Sequence, residues 1–529
     1  MGVWRWSIAI SALTLVLCAT RGTAAPYDVR AHGALGDGAA KDTDAVQRTI
    51  DACAAAGGGT VLFSAGTYLC GSIHLRSNVT LRLEAGATIK GSPNRADYDA
   101  PEKLAFPNDA DEETSYFHHA LMWGESLERV AILGEGTIDC NFAKRRGPKA
   151  IALKRCRFVD IKGIRLLNCP NYNISLLGTD FVNIDGVTIL NGYADGIDPD
   201  SCRNVRIFNC HIQSHDDAIV PKSSFALGER RACENITVTN CYLATDCFCF
   251  KLGTESGGDF RYIAVSNCVF DSKIPERRAQ AGIALETVDG ANIVGVVVSN
   301  ITMNRVQAPV FLRLGNRGRD MPAPSPGTLR DVIISDIVAT NASATSSITG
   351  VPGARVRGVT LSNISVSFEA VPLAPAAGEQ VPEVIAKYPV AAMFGPLPAY
   401  GLYCRHADGL VLRNLRFTLP NARPPGTAPA SALICDDVTG LRLDGLWSSP
   451  VPASVPVVDL ADVRGALIQG AVAPADAATY LRVRGSTSRD VSVLSNDLSG
   501  ARVPVECAGD VRRDAVRMDR GRVRRAVTR

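Results

Sequence analysis

The stretch from residue 191 to residue 223 reads NGYADGIDPDSCRNVRIFNCHIQSHDDAIVPKS. Its middle, Val205-Arg206-Ile207, alternates apolar and polar residues, the period of a β-strand with one buried face. The strand closes on Asn209-Cys210, and that ending recurs outward on both sides. IRLLNC ends at Cys169, VTILNG at Gly192, ITVTNC at Cys241, IAVSNC at Cys268, VVVSNI at Ile301, VIISDI at Ile337, VTLSNI at Ile364 and LVLRNL at Leu415. Asn168, Asn191, Asn209, Asn240, Asn267 and Asn300 follow one another at 23, 18, 31, 27 and 33 residues. Those are solenoid-coil lengths with loops of varied size. The repeated Asn, which continues at Asn363 and Asn414, is expected to bond along the axis from coil to coil. Cys169, Cys210, Cys241 and Cys268 are expected to stack as small buried residues rather than to form disulfides.

These features predict an all-β chain, a single-stranded parallel β-helix running from Pro26 to about Val505. A length of 529 residues exceeds what one compact core normally supports, and a solenoid accommodates it. Asp42 or Thr43 is placed to cap a short helix with Ala45, Val46, Ile50 and Ala54 on its apolar face. Gly57-Gly58-Gly59 ends it, and the helix would cover the first hydrophobic coil. Two insertions break the rhythm: a basic loop over 306–328 with Arg313, Arg317 and Arg319, and a Pro-rich loop over 371–403 with Tyr388, Phe394, Tyr400 and Tyr403. Residues 511–529 are Arg-rich and expected to be a disordered tail.

Residues 1–24 have the pattern of a secretory signal: Arg5, an apolar run from Ser7 to Cys18, then small residues to Ala24. A secreted, extracellular or periplasmic chain without a membrane span is expected. The 56 basic and 53 acidic residues leave a formal net charge of +3, no reason to invoke nucleic acid. Of 16 cysteines, Cys18 lies in the leader, and the remaining odd number leaves at least one thiol without an internal partner. Cys247 and Cys249 lack nearby His partners, so no zinc site is expected, and no other metal or cofactor. A monomer is expected.

The opening stretch also holds Asp195, Asp198, Asp200, Asp216 and Asp217. Carboxylates this close repel and push one pKa upward, which suits an enzyme needing one protonated and one ionised acid. Asp-rich turns are the plainer alternative. Register partners in a parallel β-helix lie about 4.8 Å apart. The 21-residue gap from Asp195 to Asp216 is close to one coil, so the two acids should share a face, with Asp217 beside them. Such a group is the equipment of glycoside hydrolysis.

The N-terminal run, GDG at Gly36, DT at Asp42, GGGTV at Gly57 and SAGTY at Ser64, resembles the start of the pectinase-like right-handed β-helix superfamily. The acid stretch is similar to glycoside hydrolase family 28, the polygalacturonases and rhamnogalacturonan hydrolases. Tyr193-Ala194-Asp195-Gly196 matches that family's Asn-x-Asp-Gly with Tyr in place of Asn. Asp216-Asp217 matches its acid pair, with His215 where Gly is usual, and Lys222-Ser223 follows as in the family. The resemblance implies an inverting hydrolase of pectic polysaccharide or oligosaccharide, with Asp216 as general acid and Asp195 and Asp217 activating water. The candidates for substrate contact are Lys222, which matches the family, Asp246 and Lys251, which flank the place of a family His, and His215 and Glu286, which depart from its pattern; His215 either tunes Asp216 or binds sugar, and Glu286 is a substrate contact or a turn residue.

Departures from the family pattern bear on the substrate. Its Gly-His-Gly is Cys247-Phe248-Cys249 here, and its Arg-Ile-Lys is Ala284-Leu285-Glu286. Two cations are lost and an anion gained where a galacturonate carboxylate would be held. That points toward a neutral residue such as rhamnose, or a carboxylate read by Lys251 or Arg313. A polysaccharide lyase and a non-catalytic carbohydrate-binding β-helix are the rival readings.

Overall fold

The computed structural model describes residues 25–274, 276–370, 372, 375, 379–420, 430–519 and 523–525. Strand after strand pairs in parallel with its counterpart one coil on. Arg157–Lys162 lies against Asp180–Asp185, which lies against Arg203–Phe208, then Cys233–Thr239, then Phe260–Ser272. In-register pairing stacks like on like. Val159, Val182, Val205, Ile236, Ile263, Val296, Val332 and Val359 form one continuous buried column. Each such side chain contributes about 1.5–3 kcal/mol by leaving water. The chain is thus a parallel β-helix, as its alternating strands predict.

A second sheet carries the acids. It runs through Ala120–Glu125, Lys149–Lys154, Ile174–Leu177 and Ile197–Asp200. Single bridges at Ile219 and Lys222 carry it on to Phe248–Leu252, Ala279–Thr287, Val306–Leu314, Ser346–Thr349, Ala399–Asp408 and Ser431–Thr439.

The repeated Asn residues turn the corner between strands. Asn209, Asn240, Asn267, Asn300, Asn363 and Asn414 all have φ between 49 and 59°. Asn tolerates this left-handed region because its short amide bonds locally. The amides link the coils: Asn240 Nδ2 donates to Asn209 Oδ1 at 2.7 Å, Asn300 to Asn267 at 3.2 Å, and Asn414 to Asn363 at 2.9 Å. The series expected from sequence joins two different corners, however. Asn168 and Asn191 pair with each other at the end of a later strand of their coils. Asn209 instead continues the corner that Gly186 occupies one coil earlier, so the 18-residue gap is not a coil. Cys210, Cys241 and Cys268 do stack, while Cys169 belongs to the other corner beside Cys140. All fifteen cysteines among the described residues are free thiols, and fourteen of them are buried.

The helix spans Thr43–Ala55 and buries Ala45, Val46, Ile50 and Cys53; Ala54 is only half-buried. Asp42 makes no cap bond. Its carboxylate instead accepts the backbone N–H groups of Leu35 and Gly36 at 2.7 and 3.1 Å. Two insertions are shorter than expected. The strand Val306–Leu314 takes the first part of 306–328, with Arg313 fully buried in it. Ala399–Asp408 takes Tyr400 and Tyr403 out of the Pro-rich loop. Over its described residues, 511–519 and 523–525, the tail expected to be disordered continues the solenoid. Val516–Met518 pairs with Arg489–Val493, and Val523–Arg525 pairs with Ala501–Cys507. Val511 and Ala515 are buried, because the last coil needs apolar cover whatever the arginine content around it. The leader reading falls on residues 1–24, outside the described residues. No helix among the described residues is long and apolar enough to cross a membrane.

The corner ladder sets an order of costs. Asn240→Ala should lose the amide bond and strain the left-handed turn, destabilising by about 1–2 kcal/mol. Asn240→Gly should cost less, since glycine adopts that turn freely. Urea melts of the two variants would contradict this if Ala proved no worse than Gly.

Candidate active site

Three outward-facing columns on the second sheet build the site. The first holds Asp195, Asp217, Phe248 and Ala281 on successive coils. The second holds Asp198, Val220, Lys251 and Ala284. The third holds Asp200, Lys222, Gly253, Glu286 and Arg313. The register partner of Asp195 is therefore Asp217, 22 residues on, and Asp216 sits beside that pair rather than in it. The sequence spacing of 21 was one residue short because Ile197 bridges Ile219.

The acids are brought together as expected, but on unequal terms. Asp195 and Asp217 are each only 3% exposed. The Asp216 side chain keeps 25% of its surface, which makes it the member of the group that faces solvent. Lys222 is buried between carboxylates: its Nζ donates to Asp195 Oδ2 at 2.7 Å, Asp198 Oδ1 at 2.6 Å and Tyr172 Oη at 3.0 Å. Lys251 Nζ donates to Asp217 Oδ2 at 3.0 Å, and the Phe248 N–H donates to Asp217 Oδ1 at 3.2 Å. Both lysines, expected to touch substrate, are committed to the acids. Removing either would strand a buried charge.

Arg145 had no motif to mark it in the sequence. Its guanidinium bridges Asp216 Oδ2 and Glu113 Oε2, the latter at 2.6 Å. The partners lie 71 and 32 positions away, so only folding joins them. The consequence is a split in proton affinity. Burial works to raise the Asp216 pKa, but Arg145, with Lys251 behind it, outweighs burial and holds that carboxyl below its usual value. Burial pushes Asp217 up to about 7 despite Lys251, helped by Asp195 and Asp216. Asp195 is also raised by burial. Burial, with Asp195, also raises Asp198 well above its usual value despite Lys222. In the free protein near pH 6 Asp217 therefore keeps a proton while Asp216 is ionised.

The remaining candidates fall around this centre. His215 does not bond Asp216. Its ring stacks on Tyr193 with centroids 5.5 Å apart, and its Nδ1 meets Asp246 Oδ2 at 2.8 Å. Tyr193 and His215 thus present a stacked pair of rings beside Asp216. Glu286 is fully buried, and neither carboxyl oxygen has a hydrogen-bond partner among the described residues. Burial raises its pKa to about 8, against the pull of Lys251. It is a neutral acid beneath the site rather than a contact on its surface. Asp216, Asp217 and the Cys247 thiol have ligand atoms within 4.8 Å of one another, with Arg145 paired to Asp216 and Lys251 donating to Asp217.

The Pro-rich insertion closes the sheet face beyond the acids. Met393, Phe394 and Leu397 pack on Phe248, Ala281, Ala284, Ala308, Phe311, Tyr403 and Ile434. Two buried arginines of the third column fasten this strap. Arg313 Nη2 donates to the carbonyls of Glu383 and Val384 at 2.9 and 3.2 Å. Arg405 donates to those of Val381 and Pro382, both at 2.8 Å. Arg313, expected as a possible carboxylate reader, is spent on the strap. Phe248, in the place of the resembled family's His, is the apolar seat on which the strap rests. Tyr388 of the strap reaches toward the acids, with Lys251 Nζ 5.8 Å from its ring centroid.

The family model of "Glycosyl hydrolases family 28" matches residues 53–374. A "Probable polygalacturonase" of Vitis vinifera is 26% identical over 370 residues, covering 64% of this chain and 73% of the relative. Among solved structures, a hyperthermoactive exopolygalacturonase from Thermotoga maritima matches with a TM-score of 0.58 and 19% identity, over 74% of this chain and 92% of that one. The family 28 exopolygalacturonase of Yersinia enterocolitica matches with a TM-score of 0.60 and 19% identity, over 79% of each chain.

Glu286 gives the site a measurable signature. Its folded pKa of about 8 exceeds the ordinary 4.5, so the folded chain holds this proton more tightly than the unfolded one. Stability should fall as pH rises between those values and stay low above them. Glu286→Gln should remove that share of the fall, a gain on the order of 3–5 kcal/mol at pH 8 and little at pH 4. Denaturant melts across pH check it; equal slopes for both proteins would refute it.

Proposed function

The chain belongs to glycosyl hydrolases family 28, and on that premise we propose that it hydrolyses a galacturonate-containing pectic polysaccharide from one chain end. The observation that carries the reading is the acid group itself: Asp195, Asp216 and Asp217 on adjacent coils, with one proton retained near neutral pH. Glycoside hydrolysis needs that division into protonated and ionised carboxyls. The names of the relatives favour galacturonan. Action at a chain end is supported by the strap, which covers the sheet face that a continuing polysaccharide would otherwise occupy. The leader pattern at residues 1–24 supports export to where such polymers occur.

In this reading Asp216 donates the proton to the leaving oxygen, because it is the acid that faces solvent. Asp195 and Asp217 hold and deprotonate the attacking water, which gives inversion. The free protein has the proton on the wrong member of the pair, since Arg145 sits on Asp216. A sugar entering beside Asp216 must draw Arg145 away. With that cation gone, Asp216 takes up the proton from neighbouring Asp217, and Asp217 becomes the ionised base beside Asp195. The pair titrates as one unit holding one proton.

Two experiments test this. Polygalacturonate incubated with the chain should release monomeric or dimeric product from the first minutes, with little early fall in viscosity. Asp216→Asn should lower the rate by about 10²–10⁴-fold. Early products of mixed length would end the chain-end reading, and absence of any galacturonate release would end the substrate assignment. For Arg145→Gln, the loss of a cation raises the proton affinity of the pair. The basic limb of kcat/KM should therefore move up by about one pH unit. A limb that stays in place or moves down would remove Arg145 from the mechanism.

A further inference from the structure

The cations nearest the acids are paired in the free protein. Lys222 holds Asp195 and Asp198, Lys251 holds Asp217, and Arg145 holds Asp216 and Glu113. Arg317 is locked to Asp289, with its Nη2 at 2.5 Å from the carboxylate, and Arg319 to Glu255 at 3.0 Å. Arg313 is bound to strap carbonyls. None stands where the resembled family places its Arg and Lys, since those positions are Ala284 and Glu286.

A different cationic corner lies along the groove. Asp216, Cys247, Gln280 and Gln307 occupy one position on four successive coils. Gln280 is two coils from Asp216, about 10 Å, within reach of a sugar next to the cleaved bond. Here a cavity of about 520 Å³ opens, lined by Asp246, Arg277, Arg278, Gln280, Gln307 and Ala392 of the strap. Glu276 stands on its exposed lip. Arg278 is tied to Glu369 and to the Asn341 carbonyl. Arg277 is loosely held: its nearest carboxylate is Asp246, 3.8 Å away, and 68% of its side chain is exposed. Behind it the Lys273 ammonium is buried without a hydrogen-bond partner among the described residues. Asp246 also receives His215 and acts on Lys273, while Glu276 brings a second carboxylate to the lip. Arg277 is the loosely held guanidinium of this cavity, and a planar guanidinium with an amide beside it suits a carboxylate.

We propose that this cavity is a uronate-binding subsite, in which Arg277 and Gln280 hold the carboxylate of the sugar adjacent to the cleaved bond. Lys273 supports the field from behind. The substitutions at Ala284 and Glu286 then mark a relocation of carboxylate recognition from the sheet face, now under the strap, to the corner beside it. The proposal rests on the pectic-hydrolase reading for the position of the scissile bond.

Calorimetric titration of trigalacturonate into the full-length Asp216→Asn chain, at low salt, separates the two ideas. Adding Arg277→Gln should weaken binding at least about tenfold, and Arg277→Lys, which keeps the charge, should weaken it less. The fully methyl-esterified trisaccharide should bind weakly to the parent and be indifferent to Arg277→Gln. Equal affinity of parent and Arg277→Gln for the free acid overturns the subsite, as does a parent that binds the ester as well as the acid or binds neither. If wild type binds trigalacturonate through Arg277 yet hydrolyses nothing, the hydrolase reading fails while the subsite stands.

Discussion

Parallel stacking at about 4.8 Å brings each residue face to face with its register partner, and everything else follows from what that allows. An apolar column gains from it at every coil. A charged column is costly unless the sign changes from one coil to the next. The third outward column obeys this where Asp200 meets Lys222 and Arg405 meets Asp436, with Gly253 and Thr349 as spacers, while Glu286, in register with Arg313, avoids the cost by keeping its proton. The first column breaks the rule at one place, where Asp195 meets Asp217. That like-charged contact, buried and flanked by two lysines, is where a carboxyl keeps its proton up to about pH 7.

The lysines make this arrangement tolerable. Lys222 and Lys251 are themselves costly to bury, yet the carboxylates around them raise their pKa values well above that of a free lysine despite burial. The acids and lysines stabilise one another's charged forms, yet burial still raises Asp217 to about 7 and Glu286 to about 8, and raises Asp198 well above the ordinary carboxylate range. Arg145 is bound differently. It comes from a loop, its side chain is 44% exposed, and its two partners lie at the groove surface. A group held that way can leave without unmaking the core.

The strap depends on the same columns. Arg313 and Arg405 lie two coils apart, and each turns its guanidinium to main-chain carbonyls of one passing segment. Carbonyl acceptors hold most of each buried guanidinium, Arg405 also pairs with Glu383 of the strap at 3.2 Å, and the apolar seat of Phe248, Phe311 and Tyr403 supplies the cohesion. Covering this face with apolar side chains is compatible with an Ala at 284 and a Phe at 248, and incompatible with an open row of charged sugar contacts there.

The alternating strands and their Asn endings determined the coil, the parallel pairing and the nearness of Asp195, Asp216 and Asp217, because a period of two and a repeat of coil length act through local geometry. The sequence alone does not separate two corners that share one Asn-rich signature, so Asn168 and Asn191 look in sequence like members of the Asn209 ladder although they form their own. It could not show that Val306–Leu314 is a strand or that an Arg-rich end still closes the last coil, since burial by a neighbouring coil overrides composition. Which acid holds the proton, why Lys222 and Lys251 are unavailable to substrate, and where Arg145, Arg277 and the strap lie were decided by tertiary structure only. Charge interactions act through space between residues 20 to 70 positions apart, and their sign and strength depend on burial that no local pattern records.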